Sequence, residues 1–279
     1  ASNNTAVGAS ALNANTTGAS NTAVGYLALE DNTTGDGNVA IGKDSLRTNT
    51  TGGNNVAIGL NSLEINTASN NTAVGNNSLI ANTTGSENVA VGALALDANT
   101  TANDNTAVGY GALSANTTGA SNSVLGAYAL DGNTTGANNV AVGRAALGVN
   151  STASNNTAVG YNALTANTTG HSNVALGGNA LDANTTGYNH TALGYQAMYL
   201  STTGYRNTGV GYQAGYSITD GTGQVAIGER SLYASTGNFN TGIGSLALNA
   251  NTTASNNTAV GYAALFANIT GADNASFGK

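Results

Sequence analysis

The residues that could carry out acid–base chemistry in this chain are few and scattered. The sequence contains two histidines, His171 and His190, and no cysteine. Asp97, Asp131 and Asp182 occupy the same position of a repeat but not in adjacent copies, so they form no paired-carboxylate site. An active site needs several polar groups that converge in one pocket. These spacings therefore favour a protein that is not an enzyme, and His190 is best interpreted as a structural hydrogen-bonding residue.

Motifs for cofactors and metals are missing from the sequence as well. Gly221-Thr222-Gly223 has the glycines of a phosphate loop but neither a neighbouring lysine nor a following helix. Calcium-binding β-rolls use an aspartate-containing glycine nonapeptide, and no such unit recurs here. We therefore expect no catalytic residue, no cofactor and no bound metal.

Tyrosines form the one cluster that could bind a ligand. Seven of the twelve tyrosines lie between Tyr188 and Tyr233. Tyrosine offers an apolar ring and a polar hydroxyl at low entropic cost, which suits contact with sugars, but stacked tyrosines also stabilise sheets. Both interpretations stay open at this stage. The candidate ligand contact, expected to adjoin Gln196, Gln213 and Arg206, consists of Tyr195, Tyr199, Tyr212 and Tyr216.

A tandem repeat must position these side chains, because one glycine-centred motif occurs seventeen times. Fourteen of the sixteen intervals are 17 residues long and two are 16. A short repeat that fills the whole chain predicts a solenoid in which each copy forms one coil. The anchor glycines, from which positions are counted below, are Gly8, Gly25, Gly42, Gly59, Gly75, Gly92, Gly109, Gly126, Gly143, Gly160, Gly177, Gly194, Gly211, Gly228, Gly244, Gly261 and Gly278.

The residues around each anchor glycine predict two short strands per coil. Positions −3 to −1 read Thr or Val, then a small residue, then Val, Ile or Leu in nearly every copy, which is typical of a strand. The segment after the glycine has an Ala-Leu centre, as in Tyr26–Leu29, and is too short for a stable helix. We interpret it as a second strand, followed by an Asn-Thr-Thr-Gly turn. Seventeen coils stacked at ~4.8 Å predict an all-β rod about 80 Å long.

Asparagine returns at positions −4 and +7, and stacking places these residues above one another. Their amides can then form hydrogen-bonded ladders that fix the register of the coils. The Asn-x-Thr rows also match a glycosylation sequon, but the turn accounts for them in every copy. The predicted ladder at position −4 includes Asn21, Asn38, Asn55, Asn88, Asn105 and Asn122.

Position −2 is held to small residues, mostly alanine, on a strand whose other side is also apolar. A strand with one solvated face would carry varied polar residues there. We therefore expect this column to contact another copy of the chain, with Ala90, Ala107 and Ala141 as representatives. The alternative is that alanine fits a cramped coil interior.

The motif Asn-Val-Ala-Ile-Gly, at 38–42 and 55–59, resembles the signature of the head domains of trimeric autotransporter adhesins. The longer unit at 156–170 is similar to repeats in phage, giant-virus and bacterial fibre proteins. The resemblance implies a left-handed parallel β-roll, a trimer and display on a virion or cell surface. It covers the whole chain, although the 17-residue coil is longer than the unit of the adhesin heads.

These observations predict one β-solenoid domain over residues 1–279, part of a longer extracellular fibre with a structural and adhesive role. We expect a homo-oligomer, a trimer by resemblance, and contact with a surface glycan or receptor. A formal charge of −7 with scattered basic residues argues against nucleic acid. No apolar run is long enough to insert in a membrane. An ice-binding solenoid is the alternative, but valine interrupts the strand threonine column.

Overall fold

The chain forms a parallel β-solenoid with one three-residue strand per coil, and the predicted all-β fold is confirmed. The computed structural model describes residues 2–279, among which there is no helix, and hence none that could cross a membrane. The strands are β1 (Thr5–Val7), β2 (Thr22–Val24), β3 (Val39–Ile41), β4 (Val56–Ile58), β5 (Thr72–Val74), β6 (Val89–Val91), β7 (Thr106–Val108), β8 (Ser123–Leu125), β9 (Val140–Val142), β10 (Thr157–Val159), β11 (Val174–Leu176), β12 (Thr191–Leu193), β13 (Thr208–Val210), β14 (Val225–Ile227), β15 (Thr241–Ile243), β16 (Thr258–Val260) and β17 (Ala275–Phe277).

The strands belong to two compact units, Ala1–Asn139 and Val140–Lys279. In the first unit β1 to β8 pair in chain order, all parallel and in register. In the second unit β9 to β17 pair in the same way. The interpretation of residues 1–279 as a single domain stays a prediction.

Small side chains line the inside of each coil. In the coil around Gly25, the side chains of Ala23, Ala28 and Leu29 are completely buried. The neighbours of Ala23 in the strand, Thr22 and Val24, alternate to the outer side and are only half-buried. Strands β2 to β16 all repeat this pattern of a buried middle residue between two more exposed ones. The core is therefore a narrow column of alanine and leucine.

The segment after the anchor glycine is a series of turns, so the predicted second strand is wrong. Ala28 and Leu29 are adjacent and both buried, whereas neighbouring residues of a strand point to opposite faces. Leu27 and Leu29 achieve this with left-handed backbone conformations, φ 58° and 54°. Their N–H groups then bond in opposite directions, from Leu27 to the carbonyl of Ala9 and from Leu29 to that of Ser45. These bonds to both neighbouring coils offset the strain of a left-handed leucine.

The anchor glycines stack too closely for any side chain. Gly109 has φ 139°, and a Cβ atom built on it would lie 2.6 Å from the carbonyl oxygen of Gly126, one coil further on. The same close approach recurs along each unit. A residue without Cβ is therefore required at this bend.

The asparagine column at position −4 links each coil to the next. The backbone N–H of Asn38 donates to Oδ1 of Asn21 at 2.8 Å, and Nδ2 of Asn21 donates to the carbonyl of Gly35 at 2.8 Å. Asn38 bonds to Asn55 and Gly52 in the same manner. All six asparagines predicted for this ladder are completely buried. The side-chain oxygen thus accepts mainly from backbone, whereas the sequence had suggested amide-to-amide bonds.

The column at position +7 does form an amide-to-amide ladder. Nδ2 of Asn32 donates to Oδ1 of Asn15 at 2.9 Å and also to the carbonyl of Gly35 at 3.1 Å. Nδ2 of Asn49 continues the row to Oδ1 of Asn32. The two ladders together satisfy the polar groups of a turn that lies inside the coil.

One irregular coil in the second unit preserves its core by exchanging two positions. Gly215 stands where nearly all other coils have leucine, and Ile218 stands where most of them have asparagine. Ile218 is completely buried, and a Cβ on Gly215 would lie 2.6 Å from its Cδ1 atom. The isoleucine therefore fills the volume that the missing leucine leaves.

Candidate functional site

Positions +1, +2 and +5 form one surface along each unit, here called the variable face. In the first unit, Lys43 at +1 and Arg47 at +5 both pair with Asp44 at +2 (N–O distances 3.0 and 3.9 Å). In the second unit, the Arg230 guanidinium at +2 lies 5.8 Å from the ring centroid of Tyr212 at +1. Residue types differ widely from coil to coil on this face, in contrast to the buried columns.

The four tyrosines of the candidate ligand contact lie in two stacks on the variable face. The rings of Tyr195 and Tyr212 have centroids 5.9 Å apart, and those of Tyr199 and Tyr216 are 5.3 Å apart. Tyr233 extends the second stack at 5.0 Å. Arg230 joins the stacks, because it also lies 5.7 Å from the Tyr233 ring. The structure therefore brings the predicted tyrosines together and adds two residues that the prediction left out.

The stacks present ring edges and hydroxyls outward rather than ring faces. Their rings are nearly parallel, at 11° for Tyr195 and Tyr212 and 20° for Tyr199 and Tyr216. A stacked ring uses its faces on its neighbours, so an internal member cannot also lay a face against a ligand. Partial burial raises the pKa of Tyr216, and the adjacent tyrosine hydroxyls act in the same direction. The expected patch of aromatic faces is thus corrected to rows of edges.

Polar side chains at position +2 form a ladder beside the tyrosines. Nε2 of Gln213 donates to Oε1 of Gln196 at 2.8 Å, and Nε of Arg230 donates to Oε1 of Gln213 at 3.0 Å. Arg206, which the sequence suggested as a neighbour, lies instead over the ring of Tyr205 at 5.8 Å. Alignment of the repeats would have identified Arg230, since it shares a column with the two glutamines.

A second aromatic stack, at position −6, was also missed. His171 stacks on Tyr188 at 5.2 Å, and Tyr188 stacks on Tyr205 at 5.1 Å. A parallel β-bridge between Tyr188 and Tyr205 fixes this spacing. The signal was present in the 17-residue separation of the three residues.

The alanines predicted to contact another chain lie inside the coils. Ala90, Ala107 and Ala141 have no exposed surface, so the prediction is wrong and the cramped-interior alternative is correct. Strand alternation turns positions −3 and −1 outward instead. Leu125 and Leu176, both at position −1, are 52% and 49% exposed.

The acidic residues, apart from the buried Asp44, are dispersed over the surface of the described chain. Partial burial raises the pKa of Asp97, Asp131 and Asp182, and backbone or side-chain hydrogen bonds act against it. Within residues 2–279, no group of three His, Asp or Glu side chains is placed to hold a metal ion. The same residues enclose no pocket, so a ligand would lie on an open surface.

His190 replaces asparagine in the position −4 ladder and is 1% exposed. Its backbone N–H donates to Oδ1 of Asn173, and its Nδ1 accepts from the N–H of Asn207 at 3.3 Å. Since Nδ1 is an acceptor, the ring is neutral and carries its proton on Nε2. Burial lowers the pKa of His190 to about 4, against smaller opposing effects from the backbone of Gly204 and Asn207.

We expect His190 to make the second unit sensitive to acid. The pKa of His190 is lower in the folded than in the unfolded state. Above about pH 6.5 the ring is neutral in both states and costs no stability, whereas the free energy of unfolding falls as the pH drops from about 6.5 towards 4. The loss should approach about 3 kcal/mol at pH 4. Thermal unfolding of His190→Asn, compared with the parent chain from pH 7 to pH 4, measures this contribution because both proteins share the same carboxylates. The exposed His171→Asn is the control, and an equal acid shift in all three proteins would contradict the assignment.

Comparison with protein-family models and with curated proteins gives no match to this sequence. The resemblance to adhesin heads and fibre repeats therefore rests on the repeat motifs of the sequence.

Proposed function

We propose that this chain is a structural and adhesive segment of an extracellular fibre, which self-associates through its strands and presents the variable face to a host surface. The parallel β-solenoid and its tandem coils support a repetitive structural role. The proposal assigns no catalytic residue. Its location on a virion or cell follows from the motif resemblance.

The observation that carries self-association is an exposed surface with restricted composition, here called the strand face, which positions −3 and −1 form along each unit. Its side chains are half-buried or exposed, yet no charged residue occurs there in any of the seventeen copies. Position −1 is Val, Ile or Leu in every copy but one, where it is Phe277. Position −1 therefore exposes a row of aliphatic side chains along each unit, and monomeric proteins rarely expose large contiguous apolar surface.

A second copy of the chain is the occupant that fits the strand face best. The face repeats at each coil, so two or three copies aligned side by side would meet with the same residues at every level. An isologous contact between two copies needs such self-complementarity. The adhesin-head resemblance favours three copies.

Charge on the strand face should therefore dissociate the assembly without unfolding it. We expect Leu125→Lys and Leu176→Lys, combined in one chain, to reduce the mass in light scattering to that of a single chain. A buried unpaired charge is costly at an interface, whereas both leucine side chains are about half exposed in the isolated chain. Circular dichroism should stay unchanged. Tyr26→Lys, at an equally exposed site on the variable face, is the control. A parent chain that is monomeric at micromolar concentration would refute self-association.

The ice-binding alternative places the same strand face against ice. Threonine rows spaced by ~4.8 Å favour it, but the row at position −3 is interrupted by Val39, Val56, Val89, Val140, Val174 and Val225. Thermal hysteresis separates the two proposals. The fibre proposal would give way to ice binding if the parent chain were monomeric and showed thermal hysteresis, and if Leu125→Lys and Leu176→Lys abolished that hysteresis.

A further inference from the structure

The tyrosine column at position +1 of the second unit has a gap. Its first five members, in chain order, are Arg144, Tyr161, Gly178, Tyr195 and Tyr212. Backbone hydrogen bonds fix these residues one coil apart, from Asn179 N–H to the carbonyl of Tyr161 and from Gln196 N–H to that of Gly178. Gly178 thus stands between two tyrosines and contributes no side chain.

Each tyrosine beside the gap has one ring face engaged and one face turned to Gly178. The Arg144 guanidinium lies 6.0 Å from the ring centroid of Tyr161, and Tyr212 stacks on Tyr195 at 5.9 Å. Tyr161 and Tyr195 are nevertheless 52% and 50% exposed. The Tyr195 ring borders the gap, since a Cβ on Gly178 would lie 3.5 Å from its Cδ2 atom.

The gap has the width of one ring. Two coils span about 10 Å, so a ring inserted at the level of Gly178 would lie about 5 Å from each tyrosine, within the range of stacked rings. The internal tyrosines of the stacks have no free ring face, whereas Tyr161 and Tyr195 each have one, and these two faces oppose each other across the gap.

Unpaired amides lie beside the gap at position +2. Elsewhere in this column neighbouring amides bond to each other, as Asn61 does to Asn77 at 3.0 Å and Gln213 to Gln196 at 2.8 Å. The side chains of Asn162 and Asn179 are one coil apart but bond neither to each other nor to any other described residue. They can therefore bond to the hydroxyls of a ligand.

We propose that the gap at Gly178 binds one uncharged pyranose ring between Tyr161 and Tyr195, with its hydroxyls bonded to Asn162 and Asn179. Both ring faces must be apolar for a two-sided stack, which favours the all-equatorial glucopyranose type over galactopyranose, whose axial hydroxyl interrupts one face. The inference rests on the adhesive part of the proposed function and is independent of self-association.

Titration of the intact chain with methyl β-D-glucopyranoside and methyl β-D-galactopyranoside tests the proposal. Tyrosine fluorescence can follow the titration, because the chain has no tryptophan and two of its twelve tyrosines border the site. We expect a dissociation constant on the order of 1 mM for the glucoside and weaker binding of the galactoside. The same titration of the Leu125→Lys, Leu176→Lys chain separates sugar binding from assembly, so that a failure of one does not obscure the other.

Gly178→Tyr is the decisive variant, because it fills the gap with a ring where the backbone and the surrounding space accept a side chain. It should weaken glucoside binding at least about tenfold, and Tyr195→Ser should do the same. Ala93→Tyr and Tyr26→Ser make matched changes at position +1 of the first unit and should leave binding unchanged. Binding that survives Gly178→Tyr, or no binding of either sugar, would overturn the proposal.

Discussion

Replacing Gly109 by alanine is expected to unfold the coils around it, with a loss of at least about 4 kcal/mol. The backbone at φ 139° lies in a region that is essentially restricted to glycine, which alone costs about 1–3 kcal/mol for another residue. The new Cβ would also lie 2.6 Å from the carbonyl oxygen of Gly126. That oxygen is part of the next coil's backbone, so relief of the clash would require separation of two stacked coils.

Hydrogen exchange is the appropriate measurement, because the strands of a solenoid can open locally. Amides of β6 to β8 should lose protection in Gly109→Ala while those of β12 to β14 keep it. Gly178→Ala is a matched control, since a Cβ there makes only an ordinary 3.5 Å contact with Tyr195. Equal stability of the two variants would show that the close stacking of the anchor glycines is incorrect.

Replacing Ala107 by leucine should also destabilise the coils, and it should do so already at neutral pH. Ala107 is completely buried and stacks on Ala90 and Val124 of the neighbouring strands. Three additional carbon atoms cannot fit into so narrow a coil without displacing the backbone, and overpacking of this kind costs about 1–3 kcal/mol. The triple variant Ala90→Leu, Ala107→Leu, Ala141→Leu should not accumulate as folded protein.

Val108 provides the comparison for Ala107, because it is the next residue of β7 and faces outward. Val108→Leu should change the thermal midpoint by an amount equivalent to less than about 0.5 kcal/mol. A pair of melting curves in which Ala107→Leu is as stable as Val108→Leu would mean that alanine, and not valine, faces outward. That result would restore the oligomer contact first predicted at these alanines.

The repeat, the strand at positions −3 to −1 and the asparagine ladders can all be predicted from sequence, since each depends on residues in register. The side of the strand that faces inward cannot. Thr22, Ala23 and Val24 alternate in the same way whichever face is inside, and small residues suit both a close chain contact and a narrow interior. The turn at Leu27–Leu29 was unpredictable for a different reason. Left-handed leucine contradicts local preference and exists because bonds to the neighbouring coils impose it.

The tyrosine site was predictable in position but not in orientation. The 17-residue spacing of Tyr195 and Tyr212 predicts that they stack, and they do. Stacked rings contact each other with their faces, so only a ring at the end of a stack has a face free for a ligand. Glycine at 178 reads as an ordinary variable residue in the sequence, and its importance arises only from the rings on either side of it.

The hydrogen bonds of this solenoid determine how easily the gene can gain or lose a repeat. Within each unit, every described hydrogen bond between coils joins a coil to the one directly before or after it. Loss of one residue from the turn at Thr67-Ala68 is also absorbed, because Asn55 bonds to the carbonyl of Ala68 and Val56 still pairs with Thr72. A recombination event that removes or duplicates one whole repeat would therefore recreate the same junction. Such a gene can change the length of its product by one coil at a time, without compensating mutations elsewhere.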